Sequence, residues 1–139
     1  MLLEMFFNFD GNCRQAVEFY AEVFKTPVSN LMTYGDMPTE GGYEVPEADK
    51  DRIMYAGLQM GRSVLMFMDF PSALSVVKGN MISPTVSFES KAEVKRVFKA
   101  LSAGGTVHSE PQQVFFSELY ASVTDKFGIN WQILYYVRS

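Results

Sequence analysis

One order of elements occurs twice along these 139 residues, and that doubling constrains the fold more than any single motif. Leu2–Phe9 is an apolar, aromatic run of strand length. Asp10-Gly11-Asn12 breaks it. From there Cys13, Ala16, Val17, Tyr20, Val23 and Phe24 fall at helical spacing until Pro27 ends the pattern. Val28–Tyr34, Arg52–Met60 and Ser63–Phe70 read as three strands, the last two joined by a turn at Gly61-Arg62. The order then repeats. Pro84–Glu89 is a strand, and Ser90 with Glu93 forms a capping box that opens a helix. Val94, Val97, Phe98 and Leu101 make its buried stripe, and Gly104-Gly105 stops it as a left-handed C-cap does. Thr106–Val114, Glu118–Thr124 and Ile129–Val137 are three more strands, with Asp125–Gly128 as the last turn. Phe9 pairs with Phe88, Phe24 with Leu101 and Gly61 with Gly128 across the repeat.

A doubled β-α-β-β-β unit predicts one α+β domain made of two modules, about residues 1–70 and 83–139 with a linker over 71–82. Each module is expected to be a curved mixed sheet with a helix on its convex face. The Gly/Pro/acid-rich stretch Gly35–Asp51 is a loop, and its length points to function or mobility.

Composition narrows the function. Apolar residues at 47% and charged residues at 20% give a chain with a packed core, not a disordered tail. A net charge of −4 with 12 basic residues argues against nucleic acid, whose phosphates need clustered Lys and Arg. The lone Cys13 excludes an intrachain disulfide framework and a Cys-rich zinc site, and suits a reducing, cytoplasmic setting. Met1–Phe7 lacks the basic start and small-residue cleavage site of a signal peptide, and no window is long and apolar enough for a membrane span.

Four motifs in order resemble the vicinal-oxygen-chelate superfamily of glyoxalases, extradiol dioxygenases and bleomycin and fosfomycin resistance proteins. They most resemble its PhnB-like branch, also called 3-demethylubiquinone methyltransferase-like. The motifs are Asn8-Phe9-Asp10-Gly11-Asn12 ahead of Glu18-Phe19-Tyr20, then Met32–Pro38, Ile53-Met54-Tyr55-Ala56, and Thr124–Ile133. The resemblance implies the glyoxalase-like fold. The methyltransferase label finds no support in the residues, because no Gly-rich loop joins a strand to a helix.

The resemblance also implies where a divalent metal would sit, on the first and last strand of each repeat. Those positions fall at Met5, Leu65, Ser83 (or Pro84 if the register slips) and Gln132. A thioether, an aliphatic chain, a hydroxyl and an amide are not the imidazoles and carboxylates such metals need. A shift of one residue supplies only Glu4 as a carboxylate. No metal and no other cofactor is expected.

Strand alternation from these positions adds Phe7, Phe9, Phe67, Asp69, Asn130, Leu134 and Tyr136 to an inward face. With Tyr34 and Asp36 at the loop and Tyr55, where the resemblance implies a His in relatives, this suggests a cup for a small apolar or aromatic molecule. The same side chains could equally fill a core. His108 and Glu110, two apart on one strand, could act as an acid–base pair; the plainer reading is a surface pair. Cys13 lies on the apolar stripe and reads as a buried, inert thiol, and Lys91, Lys95, Arg96 and Lys99 as a solvated helix face.

The favoured reading is therefore a metal-free small-molecule binding protein. The alternatives are a metal-independent isomerase or lyase moving a proton on a small carbonyl compound with Tyr34, Asp36, Tyr55 or Asp69, and a dimeric scaffold without ligand. Apolar sheet edges in each module predict a homodimer.

Overall fold

The computed structural model describes residues 1–38 and 44–138. Gly41 and Gly42 of the acidic loop lie outside the described residues. The chain divides into two compact units, Met1–Val77 and Lys78–Ser139, a division inside the expected linker.

The first unit runs β1 (Met5–Phe9), α1 (Cys13–Phe24), β2 (Val28–Thr33), β3 (Ile53–Met60) and β4 (Ser63–Asp69). The second runs β5 (Thr85–Phe88), α2 (Lys91–Ser102), β6 (Thr106–Val114), β7 (Ser117–Thr124) and β8 (Asn130–Tyr135). Each unit holds one four-stranded sheet, ordered β1-β4-β3-β2 and β5-β8-β7-β6. The first and last strands of each unit pair in parallel and the remaining neighbours antiparallel, so the sheets are mixed and their strand orders correspond. This is the predicted doubling, realised as an α+β fold. Among the described residues no helix is long and apolar enough to cross a membrane.

Both helices form for the reasons the sequence shows, with two differences at their ends. Helix α1 buries Cys13, Ala16, Val17, Tyr20 and Val23 on one stripe. It ends before Pro27: Lys25 takes the left-handed conformation at φ 52° and the Thr26 N–H reaches back to the Ala21 carbonyl. That six-to-one bond satisfies a carbonyl that a helix end otherwise leaves unpaired. In α2 the Ser90 side chain accepts from the Glu93 N–H, as predicted, while the Glu93 carboxylate pairs with Arg96 at 2.9 Å. The left-handed residue after α2 is Gly104, at φ 74°, beyond an extended Ala103. Gly105 is required for a different reason, since a Cβ there would run into the Thr124 carbonyl oxygen.

The sheet faces decide where a site could lie. In the first unit the Phe67 ring stacks on Tyr20 of α1 at 5.7 Å and meets Phe7 edge-on at 5.4 Å. Phe7, Phe9 and Phe67 are buried, and alternation places Met5 and Leu65 on the same helix-covered face. This corrects the expected lining: Met5, Phe7, Leu65, Phe67 and Asp69 face α1. The opposite face carries Phe6 and Asn8 from β1, Val64, Met66 and Met68 from β4, and Tyr55 and Gly57 from β3. In the second unit the buried residues are Trp131, Ile133, Leu119, Ala121 and Val123, which pack with the Val94, Val97 and Leu101 stripe of α2. Gln132, Leu134, Tyr120, Ser122, Thr124 and Asn130 take the other face.

Candidate functional site

Three of the expected polar candidates are committed to the backbone of the first unit. The Asp69 carboxylate, 1% exposed, accepts from the N–H groups of Gly11 at 2.8 Å and Cys13 at 3.0 Å through Oδ1. Its Oδ2 accepts from the Ile53 N–H at 2.9 Å. One side chain thus ties the end of β4 to the start of α1 and the start of β3, and its charge meets the positive end of the helix. The Tyr34 hydroxyl, on a buried side chain, donates to the Asp69 carbonyl oxygen at 2.7 Å. Asp36 caps a short turn, accepting from the Thr33 N–H at 3.0 Å, and this bond lowers its pKa. These groups hold the molecule's shape, and three of the four acid–base candidates are occupied in doing so.

Arg52 organises the neighbouring corner. It donates to the Phe70 carbonyl at 2.9 Å and to Asp10 at 3.0 Å, and its Nε stands 3.6 Å from Asp49. Asp49 is buried and accepts from the Ser72 N–H at 3.2 Å; Ser72 lowers its pKa first, with Arg52 adding to the effect. Cys13 is fully buried, and its thiol pKa is raised by desolvation and by the nearby Asp69 charge. An inert thiol is the reading this supports.

The helix-free face of the first sheet is apolar. The Phe6 ring meets Tyr55 edge-on at 6.0 Å. Met32 lies opposite Tyr55 and Met66 opposite Gly57, so aromatic and thioether side chains share one surface. A Cβ on Gly57 would lie 3.1 Å from the Ser29 hydroxyl and 3.2 Å from the Tyr55 hydroxyl, so the glycine lets these two side chains close over the strand. Phe6 is 43% exposed.

The helix-free face of the second sheet is polar. The Tyr120 hydroxyl donates to Gln132 Oε1 at 3.0 Å. Ser122 lies opposite Gln132, and Thr124 opposite Asn130. His108, which the sequence pairs with Glu110, instead joins Thr124 at 2.6 Å. Toward the hairpin between β6 and β7, Phe116 meets Tyr120 at 5.3 Å and Phe115 is fully exposed. Asn130 and Gln132 of this row are among the expected inward residues; Tyr120, Ser122 and Thr124 are not, although their alternation with Leu119, Ala121 and Val123 marks them.

The metal that the fold class implies does not fit these residues. The strand register makes Thr85, not Ser83, the partner of Gln132, as Leu65 is the partner of Met5. Met5 and Leu65 point to the helix side, and the Gln132 amide oxygen already accepts from Tyr120. Among the described residues no three His, Cys, Asp or Glu side chains gather as a metal set. No step is derived through a metal.

This doubled, helix-backed mixed sheet is the glyoxalase-like fold, and the chain is a member of the vicinal-oxygen-chelate superfamily. Within it, the chain belongs to the family described as 3-demethylubiquinone-9 3-methyltransferase, whose profile matches residues 2–134. Protein YjdN of Escherichia coli (strain K12) is 27% identical over 143 residues, covering 96% of this chain and 94% of that protein. The crystal structure of protein PA1353 from Pseudomonas aeruginosa is similar with a TM-score of 0.84 at 29% identity, covering 97% of each chain. The PhnB protein from Bacillus cereus is similar in fold, with a TM-score of 0.77 at 20% identity, covering 98% of this chain and 100% of that one.

Among the described residues, the methyl donor that the family's description suggests finds no Gly-rich cradle joining a strand to a helix. The N–H groups of Gly11 and Cys13 at the start of α1 are filled by Asp69, and the start of α2 is capped by Ser90. No methyl-transfer step is derived.

Proposed function

We propose that this chain binds a small apolar or aromatic molecule, without a metal, on the helix-free face of its first sheet. The observation that carries the reading is the run of aromatic and thioether side chains on that face, Phe6, Tyr55, Met32 and Met68 beside the buried Met66. Aromatic rings supply flat contact area, and thioether chains adapt to irregular ligands. Of the groups considered for the metal-independent enzyme, Tyr55 alone keeps a hydroxyl that is not committed to another part of the backbone, so binding is favoured over catalysis.

A planar aromatic probe, 2-naphthol, tests this. A ligand that binds only the native state stabilises it by about 2.7 kcal/mol at a hundred times its Kd, so the melting temperature should climb with dose. Phe6→Asp places a charge on the same face at a half-open position and should abolish the rise while leaving the fold intact. An equal rise in wild type and variant, or no rise in wild type, would reject the reading.

A homodimer belongs to the same proposal. Val77, Met81 and Ile82 are largely exposed apolar residues in the connecting segment, as are Leu2 and Leu3 at the start, and burying them between copies would be favourable. Light scattering should give about twice the 15.7 kDa chain mass. A monomer at micromolar concentration would contradict it.

A further inference from the structure

We infer that His108 is a built acceptor site for an acidic O–H donor, of which a phenol is the simplest. The inference rests on a chain of hydrogen bonds whose direction is forced. The Asn130 Nδ2 donates to the Gly79 carbonyl at 3.0 Å, and a carbonyl can only accept. The Asn130 Oδ1 must therefore face Thr124, whose hydroxyl donates to it. With its proton so committed, Thr124 Oγ1 offers a lone pair to His108 Nε2 across 2.6 Å. His108 Nε2 must then carry a proton, and in the neutral ring Nδ1 is left with a lone pair.

A second feature points the same way. Val107 pairs with Val123 and Ser109 with Ser122, so β6 carries one extra residue at His108. A bulge of this kind re-aims a side chain off the regular alternation. Here it places the imidazole over Thr124, and His108 remains exposed with no partner at Nδ1 among the described residues. An oriented nitrogen acceptor on a row that also holds Ser122 and Gln132 fits a ligand that brings a proton donor. The site stands on the second sheet and does not depend on the aromatic face of the first.

His108 is the only histidine, so nitrogen-15 correlation spectra of the intact protein report on it without assignment. The neutral ring should be almost wholly the Nε2–H tautomer, with an Nε2 proton slow enough in exchange to be seen. Thr124→Val, nearly equal in shape, should lose that proton signal and relax the ring to a tautomer mixture. Phenol should shift the Nδ1 resonance in wild type, and anisole, the same ring without an O–H, should not. An Nδ1–H tautomer, an unchanged spectrum in Thr124→Val, or equal shifts from phenol and anisole would each overturn the inference. Emission from Trp131, the only tryptophan, checks that the variant is folded; should it not be, Asn130→Ala, which breaks the same chain, replaces it.

Discussion

The ring of Phe67 on β4 lies against Tyr20 of α1 with 5.7 Å between centroids and 21° between planes. That contact settles which way the first sheet faces. Residues in step with Phe67 pack toward α1, and residues out of step with it take the helix-free face. Phe67→Ala should therefore lower stability by about 3–5 kcal/mol, as large core truncations do. Phe6→Ala, one residue out of step, should stay within about 1 kcal/mol. Urea unfolding of the two variants, compared at equal slope, checks the assignment.

Asp69→Asn separates charge from shape. Asparagine would keep an oxygen for Gly11 and Cys13 but turn its NH₂ toward the Ile53 N–H, donor against donor. A loss of about 2–3 kcal/mol is expected, because a buried group loses its partner. A change below half a kilocalorie would show that the three N–H groups do not depend on the carboxylate.

Two glycines should respond unequally to alanine. Gly61 has φ 60° but nothing within 4 Å of an added Cβ, so Gly61→Ala should cost about 1–2 kcal/mol, the conformational term alone. Gly105→Ala would drive a methyl into the Thr124 carbonyl and force the backbone of β7 to move. Its loss should exceed that of Gly61→Ala, and a thermal melt of both variants would show the order.

Acid should weaken the Arg52 corner. The Asp49 pKa is lowered in the folded state, first by Ser72 and further by Arg52. The stabilisation is thus fully present above the unfolded carboxylate value of about 3.9, and is lost as pH falls through the lower folded value. Asp49→Asn should flatten the decline of melting temperature on the acid side below about pH 4 and leave its slope near neutrality unchanged. An identical acid limb in wild type and variant would remove Asp49 from the account.

The strands and both helices were legible because their periods are strong, and the doubled order carried the fold. The face of the first sheet was not legible. Met5-Phe6-Phe7-Asn8-Phe9 is apolar on both sides of the strand, so alternation carries no phase there. The repeat could not supply the phase either. Gly61 lies in a two-residue turn between Met60 and Ser63, while Gly128 lies in a five-residue turn between Thr124 and Asn130. Aligning the two glycines set Leu65 beside Gln132, which face opposite sides of their sheets, and a slip of one residue inverts a whole face. In the second sheet buried Trp131 and Ile133 flank the polar Gln132, so the sequence of β8 carries a phase that β1 lacks. The contact of His108 with Thr124, in place of a pairing with Glu110, is not legible because a bulge leaves no mark in the sequence of a strand.

Two of the buried aspartates, Asp69 and Asp125, differ in when they can act. Asp125 accepts from Phe127, Ile129 and Trp131, partners two, four and six residues ahead of it. Asp69 must gather Ile53, Cys13 and Gly11 from 16, 56 and 58 residues behind it. Closing long loops is entropically dearer and slower than closing short ones. During synthesis the first half leaves the ribosome earlier, yet its fastening waits for the last residue of β4. The later half can begin to tie itself within a few residues of Asp125. Order of emergence and order of local closure therefore run in opposite directions along this chain.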